Sequence, residues 1–129
     1  MTRPELTSKR DLTFSGWIRE KLPDSSNGYM VSDLDFILYN YKEKICMLLE
    51  IKTRNSNLKD WQRRLFANLS KWIEKGIDSD WLFGGFHVVK FENTFFHDGK
   101  CWYDDREINE QELVKILSFN TLHGHAKLI

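Results

Sequence analysis

Apolar positions recur along the chain in two periods, and the changes from one to the other mark out the elements. In "RDLTFSGWIREKLP", Phe14, Trp17, Ile18 and Leu22 lie at offsets of three, four and eight, which is one face of a helix, and Pro23 ends it. A helix over 11–22 is predicted. "DSSNG" at 24–28 carries turn residues. "YMVSDLDFILYN" then reads as a strand of aromatic and branched residues with acids at alternate places, Asp33 and Asp35. "YKEK" interrupts, and "ICMLLEIKT" resumes as a second strand. Its unbroken apolar run calls for cover on both faces, so this strand is expected inside a sheet.

From 57 to 76, "NLKDWQRRLFANLSKWIEKG" returns to the helical period, with Asn57 or Ser56 as the N-cap and Gly76 as the stop. "WLFGGFHVVKF" is a third long strand whose paired glycines point to a bend or bulge. "NTFFHDGKCWYDDREI" reads as a hairpin turning at Asp98-Gly99. In "NEQELVKILSF", Asn109 stands three residues before Glu112 in a capping box, and Leu113, Ile116 and Leu117 share a face, so a last helix follows. With no repeat, low-complexity tract or linker to divide it, 1–129 is expected to form one domain.

Composition narrows the partners. The 129 residues hold 19 basic and 19 acidic side chains and a pI near 6.9, which excludes a surface that is everywhere a polyanion-binding field. Any nucleic-acid contact has to be local. Cys46 and Cys101 lie far apart without metal-binding spacing, and neither an apolar leader nor a run of about 18 apolar residues is present. A reduced, cytoplasmic chain that makes no membrane contact is the expectation. Glycine-rich phosphate loops, nucleophile elbows and Cys/His pairs do not occur, and their enzyme classes drop out.

The first two strands carry the candidate chemistry. A two-residue turn at Lys42 and Glu43 would set Asp35 opposite Glu50 and Asp33 opposite Lys52, all four on one face. Opposed Cβ atoms lie roughly 4.5–5.5 Å apart, where two like charges are destabilising unless a cation lies between them. Two carboxylates at that separation suit Mg²⁺, with the lysine beside them to help activate a bound water. A register slip of one would remove the site, and ordinary cross-strand ion pairs on a wet face are the alternative.

"SDLDFIL" followed past a short hairpin by "LLEIKT" resembles the motif of the PD-(D/E)XK nuclease superfamily, an Asp at the head of one strand and Glu-x-Lys at the end of the next. The likeness spans residues 10 to 91, with helix, hairpin, helix and strand in the family's order. It implies an α/β fold with a restriction-endonuclease-like core, a mixed β-sheet flanked by helices in the order α-β-β-α-β, to which a C-terminal hairpin and helix are added. It further implies that Asp35, Glu50 and the Ile51 carbonyl hold Mg²⁺ or Mn²⁺ and that Lys52 orients or deprotonates the attacking water. The proline of the motif's name is missing here, and Asp33 is a rival for the metal.

On the helix after the hairpin, with Leu58 at the origin and about 100° per residue, Trp61, Leu65, Phe66, Leu69, Trp72 and Ile73 all fall within about 80°. Gln62 falls among them, where an unbonded amide would cost roughly 1–3 kcal/mol. Either it bonds the backbone of the helix's first turns or it reaches the acid pair. Families similar to RecB-type exonucleases place a glutamine on this helix, with an aromatic four residues later where Phe66 stands, and by that resemblance Gln62 joins the catalytic set. Arg54, Lys59 and Arg63 border the site and are the candidates for phosphate contact. Glu20 projects away from its helix's apolar face and reads as an exposed acid. His87 reads as a satisfied core residue, and His123 and His125 lack a third partner for a metal. Trp61, Trp72 and Trp81 fit the core, while Trp102 and Tyr103 could stack bases.

The expected function is hydrolysis of DNA phosphodiester bonds, with specificity drawn from a homodimer or a partner protein because so short a chain has room for little beyond a catalytic core. A non-catalytic nucleic-acid-binding or scaffold module of the same fold, and a Holliday-junction resolvase, are the alternatives.

Overall fold

The computed structural model describes residues 13–119, and its contacts divide the chain into two units after Ser32. In the first, α1 (Thr13–Lys21) forms over the predicted periodic stretch, and Leu22 N still donates to Ile18 O before Pro23. Phe14 and Trp17 stack on each other with ring centroids 5.4 Å apart, yet no residue of α1 is buried. Glu20 is exposed, as expected. Asp24 caps the short 3₁₀ turn that follows, and Gly28 closes it at φ 81°.

The second unit is built on a five-stranded mixed sheet, in spatial order β1-β2-β3-β4-β5. β1 (Phe36–Asn40) and β2 (Ile45–Lys52) are antiparallel, with Phe36 opposite Leu49 and Asn40 opposite Ile45. This is the expected register with a wider turn. Instead of two residues at Lys42 and Glu43, residues 41–44 turn together, because the Asn40 side chain accepts both the Lys42 and Glu43 N–H groups and Lys44 takes φ 59°. β1 also starts later than the predicted strand, since residues 29–35 are not in the ladder. The Asp35 backbone and carboxylate bond the Glu50 side chain and the Ile51 N–H instead.

From β2 the chain crosses through α2 (Asp60–Gly76) to β3 (Leu82–Phe91), which lies parallel to β2. The register between them jumps where Cys46 pairs Phe83 and Leu48 pairs Phe86, so the glycine pair forms the expected bulge. Gly85 sits at φ 89°, and a Cβ on Gly84 would lie 3.3 Å from the Cys46 carbonyl. α2 begins later than predicted. Ser56 Oγ donates to Thr53 O and Asn57 Oδ1 accepts from Lys90 Nζ, so both expected caps are engaged elsewhere and Lys59 becomes the N-cap. Phe66, 2% exposed, stacks on Phe86 at 4.4 Å and seats the helix on the sheet. Trp72 lies about 120° around the helix from Phe66; it is 57% exposed, not in the core where the wheel put it. Trp61 is half-buried, and Trp81 stacks on Tyr39.

Two hairpins follow where the sequence reading had one. The loop containing Asp98-Gly99 leads from β3 into β4 (Cys101–Tyr103), and the Asp98 carboxylate holds it by accepting from the Thr94 and Phe95 N–H groups. A second tight turn, with Asp104 at φ 48° and Asp105 at φ 69°, leads into β5 (Arg106–Ile108). α3 (Glu110–Leu117) has the expected capping box, Asn109 Oδ1 accepting from Glu112 N at 2.8 Å and Glu112 Oε1 from Asn109 N at 2.9 Å. Its Leu113 joins Leu49, Val89, Phe91, Cys101 and Ile108 in the main core. Alternate β2 residues face opposite ways, so this core lies on one side of the sheet and the contact of α2 through Phe86 on the other. The apolar run of β2 is thus covered on both faces, as predicted.

His87 is satisfied, as the sequence implies, but at a half-buried position and not in the core. Its Nδ1 lies 2.5 Å from Asp104 Oδ2, its Nε2 2.6 Å from the Gly84 carbonyl, and its ring stacks on Tyr103. Burial opposes the charge, but the carboxylate and the carbonyl, one on each nitrogen, together outweigh it and raise the pKa above its ordinary value. A raised folded pKa gives stability that is complete below about pH 6.5 and is lost as the pH climbs through the folded pKa. Urea midpoints should therefore fall on the alkaline side of pH 6.5, and His87→Gln should flatten that slope. Parallel pH profiles for the two proteins would argue against the ion pair.

Candidate metal centre

Extending the observed register by one pair sets Asp35, just before the start of β1, opposite Glu50 on β2. Each acid is tied to the other's strand. Asp35 N donates to Glu50 Oε1 at 3.2 Å, and Ile51 N donates to Asp35 Oδ2 at 2.8 Å. In strand geometry the Ile51 carbonyl points to the same side as its N–H, so it too faces Asp35. Lys52 Nζ approaches Glu50 Oε2 at 3.7 Å.

Glu50 is only 4% exposed, the one charged side chain in the core of the described residues. Burial, chiefly, raises its pKa; the Asp35 N–H works against this, the Asp35 charge adds to it, Lys52 opposes it and Asp33 adds a little more. A carboxylate held this way is stabilised by an added cation. Asp33 is near enough to be felt at Glu50, but Asp35 is the aspartate joined to it directly.

A divalent ion here would find an all-oxygen donor set of Asp35, Glu50 and the Ile51 carbonyl. Among the described residues no group of three or more His, Cys, Asp or Glu side chains is placed to hold a metal. Two carboxylates with water completing the shell fit Mg²⁺ or Mn²⁺ and do not fit a zinc cage.

The remaining candidates separate. Gln62 is half-buried, and its Oε1 accepts from Lys59 N at 3.2 Å, the first-turn bond that the sequence offered as the alternative to the acid pair. Gln62→Ala should lower stability by about 0.5–1.5 kcal/mol through loss of that bond. Urea unfolding measures this, and if Gln62 acts only at the helix end, any cleavage stays within a few-fold of wild type. Arg54 is exposed on a left-handed turn at φ 53°, its N–H donating to Asn93 O at 2.7 Å. Lys59 and Arg63 are also exposed, and only Arg63 of the three lines the cavity next to Lys52. Tyr103 is occupied by His87, and Trp102 is half-buried. His123 and His125 lie outside the described residues.

That cavity, of about 240 Å³, brings in residues that the sequence reading passed over. Lys90 is the register partner of Lys52 on β3, and Asp104 and Asp105 form part of the wall. Lys90 was hidden inside an apolar strand, and its neighbour follows from the parallel crossover, for which no short-range pattern exists.

Comparison of the chain with family models, with curated proteins and with solved structures finds no match in any of the three. No helix among the described residues is long and apolar enough to cross a membrane.

Proposed function

We propose that this chain is a metal-dependent nuclease of restriction-endonuclease-like fold that hydrolyses DNA phosphodiester bonds. The observation that carries this reading is the convergence of Asp35 and buried Glu50 across the β1–β2 pair, with Lys52 Nζ 3.7 Å from Glu50. The hairpin, crossover helix and parallel strand also follow the order in which that family builds its core.

Asp35, Glu50 and the Ile51 carbonyl would hold Mg²⁺ or Mn²⁺, which when bound neutralises charge on the phosphoryl group and acidifies water. Glu50 fixes its own position by accepting from Asp35 N, so the acids are preorganised. Lys52 projects on the same side of β2 as Glu50, where its ammonium orients the attacking water and steadies the charge that grows on the phosphate. A homodimer or a partner protein would supply specificity.

Incubation with linear, circular and four-way-junction DNA, in Mn²⁺ or in EDTA, tests the reading. Metal-dependent product on the linear form alone marks an exonuclease; product on the junction alone marks a resolvase. Absence of product from all three leaves the non-catalytic binding module and sinks the nuclease.

A further inference from the structure

We propose that the cavity beside Lys52 is a phosphate subsite, in which Lys90 and Arg63 hold a backbone phosphate of the nucleic acid next to the one being cleaved. The ligand class rests on the nuclease reading; the site stands on its own geometry.

Lys52 and Lys90 are register partners on neighbouring parallel strands. Their side chains therefore leave the same face of the sheet from backbones about 4.8 Å apart, an arrangement of like charges that is destabilising by itself. Both are only partly exposed, which limits relief by water. Lys52 has Glu50 at 3.7 Å, whereas Lys90 Nζ donates to a neutral acceptor, Asn57 Oδ1, at 2.9 Å. Among the described residues Lys90 forms no ion pair with a carboxylate. An anion between the two strands would turn this repulsion into attraction.

The surroundings agree in size and charge. At about 240 Å³ the cavity holds the volume of about eight waters, room for a phosphate group and its nearest solvent. Arg63 enters the wall from α2 and adds a planar fork suited to phosphate oxygens, beside two lysines that act as point charges. Asp104 and Asp105 also line the cavity, with the Asp104 oxygens engaged by His87 Nδ1 and by Val88 N, so three cations face two acids. Lys52 borders both this cavity and the carboxylate pair, so an anion held here lies beside the position of attack.

In EDTA, inorganic phosphate titrated into the ¹⁵N-labelled full chain should shift the amide signals of Asn57, Arg63 and Lys90. Lys90→Gln and Arg63→Gln should each weaken phosphate binding at least fivefold. With linear DNA in the same buffer, Lys90→Gln should reduce the slope of log K against log salt by about one, the counterion release of a single phosphate contact. Undisturbed signals at those three positions, or wild-type phosphate affinity in both folded variants, overturns the subsite whatever the chain does to DNA. Should Lys90→Gln fail to fold, Arg63→Gln, on an exposed helix position, decides alone. Phosphate binding that depends on Lys90 and Arg63, without any Mn²⁺-dependent cleavage, supports the subsite and sinks the nuclease. Cleavage whose KM is untouched by either variant does the reverse.

Discussion

Lys52→Ala should reduce Mn²⁺-dependent DNA cleavage by about a hundred- to ten-thousand-fold, the range for losing a group that positions or shifts a proton in the transition state. On the proposed mechanism the loss should fall on kcat, because the ammonium would act on the attacking water and on charge that appears only as the phosphorus is attacked. Its contribution to the fold is small by comparison. Lys52 stands at the end of β2 with 21% of its side chain exposed, and its contact with buried Glu50 is one 3.7 Å ion pair, longer than a hydrogen bond. Urea unfolding of the variant should stay close to wild type while the cleavage rate collapses. If rate and stability instead fell together, Lys52 would be a structural partner of Glu50 and nothing more. If neither changed, the water would be oriented by another group.

The largest effect on stability is expected from Phe66→Ala, at about 3–5 kcal/mol. Phe66 is 2% exposed and lies flat against Phe86, with ring planes 11° apart. It is also the one buried residue of α2, so truncation opens a cavity at the contact that seats the crossover helix on the sheet. A domain of this size has about 5–15 kcal/mol in all, so the variant should unfold at a markedly lower urea concentration. The effect should reach the candidate site as well. The segment between Lys52 and α2 carries Asn57, the partner of Lys90, and a loosened helix releases it. Leu69→Ala, at a half-buried position on the same helix, should cost clearly less. Equal losses from the two would show that α2 is held by its whole stripe.

Much of this protein was legible from local pattern. The antiparallel register of β1 and β2, the glycine bulge in β3 and the capping box of α3 all follow from short-range chemistry: alternation, the need for positive φ, and a side chain that reciprocates a backbone bond. The approach of Asp35 to Glu50 follows from the first of these. Structure and local pattern part where one residue has two uses. Asn57 reads as a helix cap and is instead the acceptor for Lys90, and the single hairpin read at Asp98-Gly99 is followed by a second turn at Asp104, which pairs with His87.

The sequence by itself determined the order of the three helices and of the first three strands, the register of the first hairpin, and that an acid pair and a lysine share one side of it. All of these depend on neighbours within one turn of helix or one tight loop. Only the tertiary structure decided that Glu50 is buried, that Trp72 is not, and that Lys90 comes to lie beside Lys52. Burial depends on how far a helix is rotated against its sheet. Pairing between parallel strands is made across a crossover some thirty residues long, and a chain records such contacts in no local period.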